Sequence, residues 1–219
     1  MGQKLINYFI FRDMRLKGNL PFTASVAISS QLDGATPLST AFSRLALNAR
    51  TSGKIKTLFI LCHGLGDGPS LNDLWWYGGQ GLQLGQEGLN SANVGNWAAI
   101  KDMVENIVVY ACGAAYSGQA AISDPNKTSD GRGLMSSLAK QTNAIVYAAD
   151  RIQYYYPDDF NFGKWEGTVS AFFPVGLIVS GVRPPTEVID VISPIEAQIG
   201  WPGFGGHYVE ILRNARRNR

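Results

Sequence analysis

Two short apolar runs constrain this chain more than any other feature. Leu58-Phe59-Ile60-Leu61 lies inside a stretch from Ile55 to Cys62, and Ile107-Val108-Val109-Tyr110-Ala111 follows some fifty residues later. A run that is apolar at consecutive positions cannot alternate between core and water. It belongs to a strand covered on both faces, as in parallel sheets. Each run also ends at chemistry, Cys62-His63 after the first and Cys112 after the second.

The segments around these runs alternate between strand-like and helix-like patterns. Leu5 to Phe11 and Ala24 to Ser29 read as strands, and Pro37 to Ala49 has helical spacing. Residues 64–81 read as a loop, with glycines at 64, 66, 68, 78, 79 and 81 and the aromatic pair Trp75-Trp76 as a cleft wall. Leu82 to Leu84 and Gly88-Leu89 flank a small hairpin turn. Asn90 or Ser91 then caps a helix expected to run through Trp97, Ile100 and Val104. A polar loop from Ser123 to Gly133 precedes a helix near Leu134 to Gln141, and Ala144 to Ala149 reads as a third parallel strand. This alternation predicts a doubly wound α/β sheet, whose binding crevice lies beyond the carboxyl ends of its strands. Cys62-His63 and Cys112 fall there. Beyond Asp150 the pattern weakens into loops and edge strands around Tyr154-Tyr155-Tyr156 and Pro184-Pro185, with a last strand expected at His207 to Leu212.

Composition narrows the setting. The 219 residues are 45% apolar and 16% charged, the balance of a folded protein, and no repeat or low-complexity linker divides them, so one domain over residues 1–219 is expected. A net charge of +2 gives no field that favours nucleic acid. The arginines at 213, 216, 217 and 219 read as a solvated basic tail. No apolar run has the length of a membrane span, and the start has no basic region followed by an apolar stretch and cleavage site. Two cysteines make no disulfide framework and read as reduced thiols. The expectation is a cytoplasmic protein, or one delivered from the cytoplasm without a classical signal peptide.

A thiol becomes a good nucleophile on losing its proton, so a catalytic cysteine needs an imidazole within reach and backbone donors for the developing oxyanion. Adjacent parallel strands, about 4.8 Å apart, bring His63 and Cys112 to one crevice edge. With no Cβ at position 64, the Gly64 backbone N–H can approach a substrate carbonyl beside the N–H of Cys112. Leu-Cys-His63-Gly64 after one apolar strand and Val-Tyr-Ala-Cys112-Gly113 after the next resemble the caspase and clostripain-like cysteine peptidases, and the segment between them, with Gly81 to Gly85, Leu89-Asn90 and Trp97, also resembles bacterial caspase-like domains. The interval of 49 residues between His63 and Cys112 matches the roughly 50 expected of caspases.

The resemblance spans about Ile55 to Ala149. It implies a caspase-hemoglobinase-like fold, a mostly parallel sheet flanked by helices. It also implies cysteine endopeptidase activity on a protein or peptide, with Cys112 as nucleophile, His63 as base and acid, and Gly64 and Cys112 as oxyanion hole. That chemistry calls on no metal or cofactor. Caspases carry Gln and then Gly where this chain has Tyr110 and Ala114, so the resemblance leaves the specificity pocket unassigned. Asp150, just past the third strand, is the candidate substrate-binding acid and would favour a basic residue before the scissile bond; Arg151 argues the opposite preference. The loop from Ser123 to Gly133, with Asp124, Lys127, Asp130 and Arg132, lies where such peptidases are often cut, or is a solvated connector.

Three other readings compete. Cys62-His63-Gly64-Leu65-Gly66 is also similar to the His-Gly segment of small carboxylesterases, and Cys112 with Asp190 and His207 would give an α/β-hydrolase order. No G-x-S-x-G occurs, however, and Tyr110 is bulky where a nucleophile elbow needs glycine. Zinc held by Cys62, His63, Cys112 and His207 is opposed by adjacent residues on a strand pointing to opposite faces. A catalytically inactive caspase-like binding module using the aromatic residues is the third.

Overall fold

The computed structural model describes residues 8–16, 28–67, 77–120, 126–151, 153 and 165–184. Trp75-Trp76, Asp124, the three tyrosines at 154–156, Asp190, His207 and the C-terminal arginines lie outside the described residues.

The centre is a seven-stranded, mostly parallel sheet flanked by few helices. Its strands are β1 (Tyr8–Asp13), β2 (Ile28–Leu32), β3 (Ile55–Leu61), β6 (Val104–Tyr110), β9 (Ile145–Ala149), β10 (Val169–Phe172) and β11 (Ile178–Ser180). Their spatial order is β11-β10-β9-β6-β3-β1-β2. The first five in sequence pair in parallel, and β10 and β11 close one side antiparallel. In this order β2 to β3, β3 to β6 and β6 to β9 all step the same way across the sheet. Right-handed crossovers therefore put those connections on one face.

That face carries Phe9, Phe11, Leu58, Ile60, Ile107, Val109, Val146 and Ala148 in matching register, and it forms one apolar core with the helices. Helix α1 (Leu38–Ser52) turns Leu38, Ala41, Phe42 and Leu45 inward, and α2 (Gly131–Thr142) contributes Leu134, Met135, Leu138 and Ala139. Between them Trp97 sits 5.1 Å from the Phe42 ring and 6.2 Å from that of Phe11, tying α1 to the sheet. The step from β1 to β2 runs the other way. The direction thus reverses between β1 and β3, which marks the crevice of an open α/β sheet at the carboxyl ends of those two strands.

Three expectations change. Residues 64–81 are not simply loop: β4 (His63–Asp67) and β5 (Tyr77–Gln83) pair antiparallel, with His63 opposite Gln83 and Gly64 opposite Leu82. Glycine-rich strands carry little propensity of their own, so the pairing is not written in the local sequence. The expected helix through Val104 is a 3-10 helix over Val94–Ile100, and Val104 begins β6. The Asn90 side chain accepts from the backbone N–H groups of Ala92 and Asn93, a local turn that competes with regular α-helix. In the polar loop, β7 (Ser117–Gln119) pairs with β8 (Thr128–Asp130), and α2 starts at Gly131 because Asp130 caps it, accepting the Gly133 N–H at 2.8 Å.

Candidate active site

The carboxyl ends of β1, β3 and β6 lie side by side, with Arg12 opposite Leu61 and Leu61 opposite Tyr110. The chain leaves them through Asp13, Cys62-His63 and Ala111-Cys112. Each strand thus delivers its last residues to the same edge.

Gly64 and Cys112 meet backbone to backbone. A methyl carbon on Gly64 would overlap the Cys112 carbonyl oxygen and stand 2.8 Å from its carbonyl carbon and 3.1 Å from its nitrogen. The missing Cβ is what lets the strand ends close up. The backbone N–H groups of Gly64 and Cys112, the two donors expected of an oxyanion hole, each pull the Cys112 thiol down against the larger effect of burial.

Both cysteines are buried, Cys62 at 0% exposure and Cys112 at 7%. Burial is the main influence on both thiols. It pushes Cys62 well above the ordinary thiol range, and it raises Cys112 against the opposing pull of the Gln153 backbone and the Gly64 N–H, with the Glu166 charge adding to the rise. In this state the Cys112 Sγ–H donates to the Gln153 carbonyl at 3.4 Å, so the sulfur rests as a neutral thiol.

His63 is exposed, and its Nε2 lies 3.3 Å from the Arg15 carbonyl oxygen. A carbonyl only accepts, so this bond requires the proton on Nε2 and leaves Nδ1 as the basic nitrogen. Arg15 is itself tied down. Its Nε and Nη2 donate to the two Asp13 carboxylate oxygens at 2.7 and 2.6 Å, its backbone N–H donates to Asp13 at 3.0 Å, and Nη2 also reaches the Gly85 carbonyl at 2.8 Å. Asp13, fully buried, takes a further N–H from Gly85 at 2.9 Å. Burial by itself would raise the Asp13 carboxyl, but the hydrogen bonds from Arg15 and Gly85 hold it below its ordinary value.

The remaining wall comes from residues after β9. Gly113 N–H donates to the Arg151 carbonyl at 2.7 Å and Ala115 N–H to that of Ala149 at 2.9 Å, fixing the start of this segment beside Cys112. The buried Gln153 side chain then gathers the segment: Nε2 donates to the carbonyls of Arg151 and Glu166 at 3.0 and 2.9 Å, and Oε1 accepts the Glu166 N–H at 3.3 Å. Trp165 stands edge-on to Tyr110, with ring centroids 4.8 Å apart. Asp150 sits in the same turn and accepts the Thr168 N–H at 2.8 Å, so one carboxylate oxygen braces the wall.

Gly64 and Cys112 are thus in contact, while the His63 ring is held at the Arg15 carbonyl and the Cys112 thiol at the Gln153 carbonyl; Asp150 lies in the turn braced against Thr168. Of the suggested cleavage segment, Asp130 and Arg132 belong to the β8–α2 junction. Arg132 lies 5.9 Å over the Phe172 ring and reaches Ser180 Oγ at 3.4 Å. Among the described residues, no group of three or more His, Cys, Asp or Glu is arranged to hold a metal ion, and no helix is long and apolar enough to cross a membrane. Sequence reasoning passed over Asp13, Arg15, Gln153, Trp165 and Glu166. The first two carried a usable signal, an acid and a base directly after an apolar strand; the other three carried none.

Comparison of the chain with protein-family profiles, curated proteins and solved structures returned no match.

Proposed function

We propose that this protein is a cysteine endopeptidase of caspase-like fold, with Cys112 as nucleophile and His63 as the proton-transferring group. The observation that carries the reading is the backbone contact of Gly64 with Cys112, which sets the chain leaving β3 against the candidate nucleophile at the end of the neighbouring strand. The mostly parallel sheet with an antiparallel side, and the site at its reversal point, also support it.

In the reaction, Nδ1 of His63 takes the Cys112 proton, and the sulfur adds to a peptide carbonyl carbon. The oxyanion that forms accepts hydrogen bonds from the N–H groups of Gly64 and Cys112. Collapse breaks the C–N bond, the leaving amine takes the proton from Nδ1, and a thioester remains on Cys112. Water, giving a proton to Nδ1, hydrolyses that thioester and returns the thiol. The Arg15 carbonyl holds the ring throughout, in the part a third group plays in orienting a catalytic imidazole.

The test compares Cys112→Ala, His63→Ala and Cys62→Ala on a peptide library and an acyl ester, with iodoacetamide as thiol probe. Peptide cleavage lost in the first two variants and kept in the third supports the assignment. Full activity in Cys112→Ala would end it. The thiol hydrogen bond to Gln153 favours a second reading, a binding module whose sulfur never ionises. Its mark is peptide capture without turnover.

A further inference from the structure

We propose that Asp13 is a positioning residue for His63: one buried carboxylate fixes both the carbonyl that holds the imidazole and the strand end paired with the His63 backbone. The inference rests on the peptidase reading and extends it to a side chain that acts only through its neighbours.

Asp13 reaches His63 by two routes. The first runs to the ring. Asp13 Oδ1 accepts the Arg15 backbone N–H at 3.0 Å and its Nε at 2.7 Å, and Oδ2 accepts Nη2 at 2.6 Å. Residue 15 is therefore held by main chain and side chain at once, and its carbonyl oxygen is the one 3.3 Å from His63 Nε2. The imidazole is exposed, so this bond to a fixed carbonyl sets its orientation and its tautomer. The second route runs to the backbone. Oδ2 also takes the Gly85 N–H at 2.9 Å, while Arg15 Nη2 donates to the Gly85 carbonyl at 2.8 Å. Both polar groups of Gly85 are thus bonded to the Asp13–Arg15 pair. Gly85 lies two residues past Gln83, the end of β5, and Gln83 pairs with His63 at the start of β4.

The far anchor is itself fixed. Gly85 has a φ of +61°, and a Cβ there would stand 2.8 Å from the Thr36 carbonyl oxygen. The Gln86 N–H donates to that same oxygen at 2.9 Å, and Glu87 Oε2 accepts the Leu38 N–H at 2.9 Å, at the first turn of α1. Asp13 therefore joins the end of β1 to a turn that cannot drift.

A carboxylate is the group this joint requires. It meets four N–H donors, two on each oxygen, and only an acceptor-only side chain satisfies all of them. An amide in its place turns an NH2 either toward Gly85 N–H and Arg15 Nη2 or toward Arg15 N–H and Nε. A buried ion pair is a weak device for stability alone. Its place one residue from the carbonyl that holds His63 gives this one a further use.

The experiment has two arms on the full chain. In the first, NMR follows the His63 ring nitrogens at about pH 8, where an imidazole is neutral, in the wild type, Asp13→Asn, Arg15→Gln and Asp130→Ala. His207→Gln assigns the second histidine. The wild type should carry the proton on Nε2. Asp13→Asn and Arg15→Gln should release the ring to exchange between its tautomers, while Asp130→Ala, which loses only the cap of α2, should not. Arg15→Gln keeps the backbone carbonyl and removes the paired side chain, so the arm stays readable should Asp13→Asn fold poorly. In the second arm, kcat and KM are measured on a cleaved peptide well below the melting temperature of every variant. In Asp13→Asn and Arg15→Gln, kcat should fall about ten- to a hundredfold with KM little changed, as a misplaced catalytic group requires. Asp130→Ala should keep both constants.

If the wild type cuts peptides and either readout stays at its wild-type value in both variants, the inference is overturned and the peptidase reading stands. If the wild type cuts nothing but both variants release the ring, Asp13 keeps its hold on His63 and the peptidase is removed. No cleavage and no change in the ring remove both.

Discussion

Gly64→Ala is the sharpest perturbation, because one methyl group strikes the contact on which the site is built. The added carbon would overlap the Cys112 carbonyl oxygen and lie 2.8 Å from the carbonyl carbon, where ordinary contact begins at 3.4 Å. The two backbones must part by about 0.6 Å to clear the carbon, and further to clear the oxygen. Backbone cannot rotate out of the way as a side chain does, so the cost falls at the upper end of overpacking, about 2–3 kcal/mol. For a chain of this size that lowers Tm by about 4–12 °C. The same movement withdraws the Gly64 N–H from the oxyanion, and loss of one such donor reduces kcat by about 100- to 1000-fold. The assay is calorimetry with kcat on a cleaved peptide, run beside Gly95→Ala. A Cβ at Gly95 meets nothing within 4 Å, so that control should match the wild type in both readouts. If Gly64→Ala melts and turns over like the wild type, the strand ends are not in contact and the oxyanion assignment is wrong.

Other outcomes follow from the same geometry. Asp13→Asn should cost about 1–3 kcal/mol in urea melts at pH 7, since a fully buried carboxylate loses its charge-assisted bonds to a partly exposed arginine. Because the Asp13 carboxyl is depressed in the folded state, its contribution is complete above the unfolded value near pH 4; it disappears as pH falls through the folded value, so the wild type and the variant should converge in acid. Iodoacetamide should alkylate Cys112 in the folded protein and spare Cys62 until denaturant is added, as read by mass spectrometry; equal labelling of both would contradict their difference in burial. The Cys112 labelling rate should keep rising beyond the ordinary thiol range, since burial raises that thiol, and should drop at neutral pH in His63→Ala. Asp130→Ala removes the cap of α2 and should lower stability by about 1 kcal/mol, a Tm loss of about 2–4 °C.

The sequence by itself determined the strands that are apolar at every step and the helices with a clear face. β3, β6, β9 and α1 could be read from residues alone, because burial on both faces or on one stripe writes itself into consecutive positions. It also determined that Gly64 and Cys112 would meet, since two parallel neighbours of similar length must end side by side. Only the tertiary structure decided the rest. The pairing of β4 with β5, and of β10 with β11, joins short strands, glycine-rich in the first pair, that leave little periodicity behind. Gln153, Trp165 and Glu166 reach the site through hydrogen bonds and a ring contact between residues thirteen to fifty-five positions apart. Such contacts have no fixed spacing, so the wall beside Cys112 becomes visible only once the chain has folded back on itself.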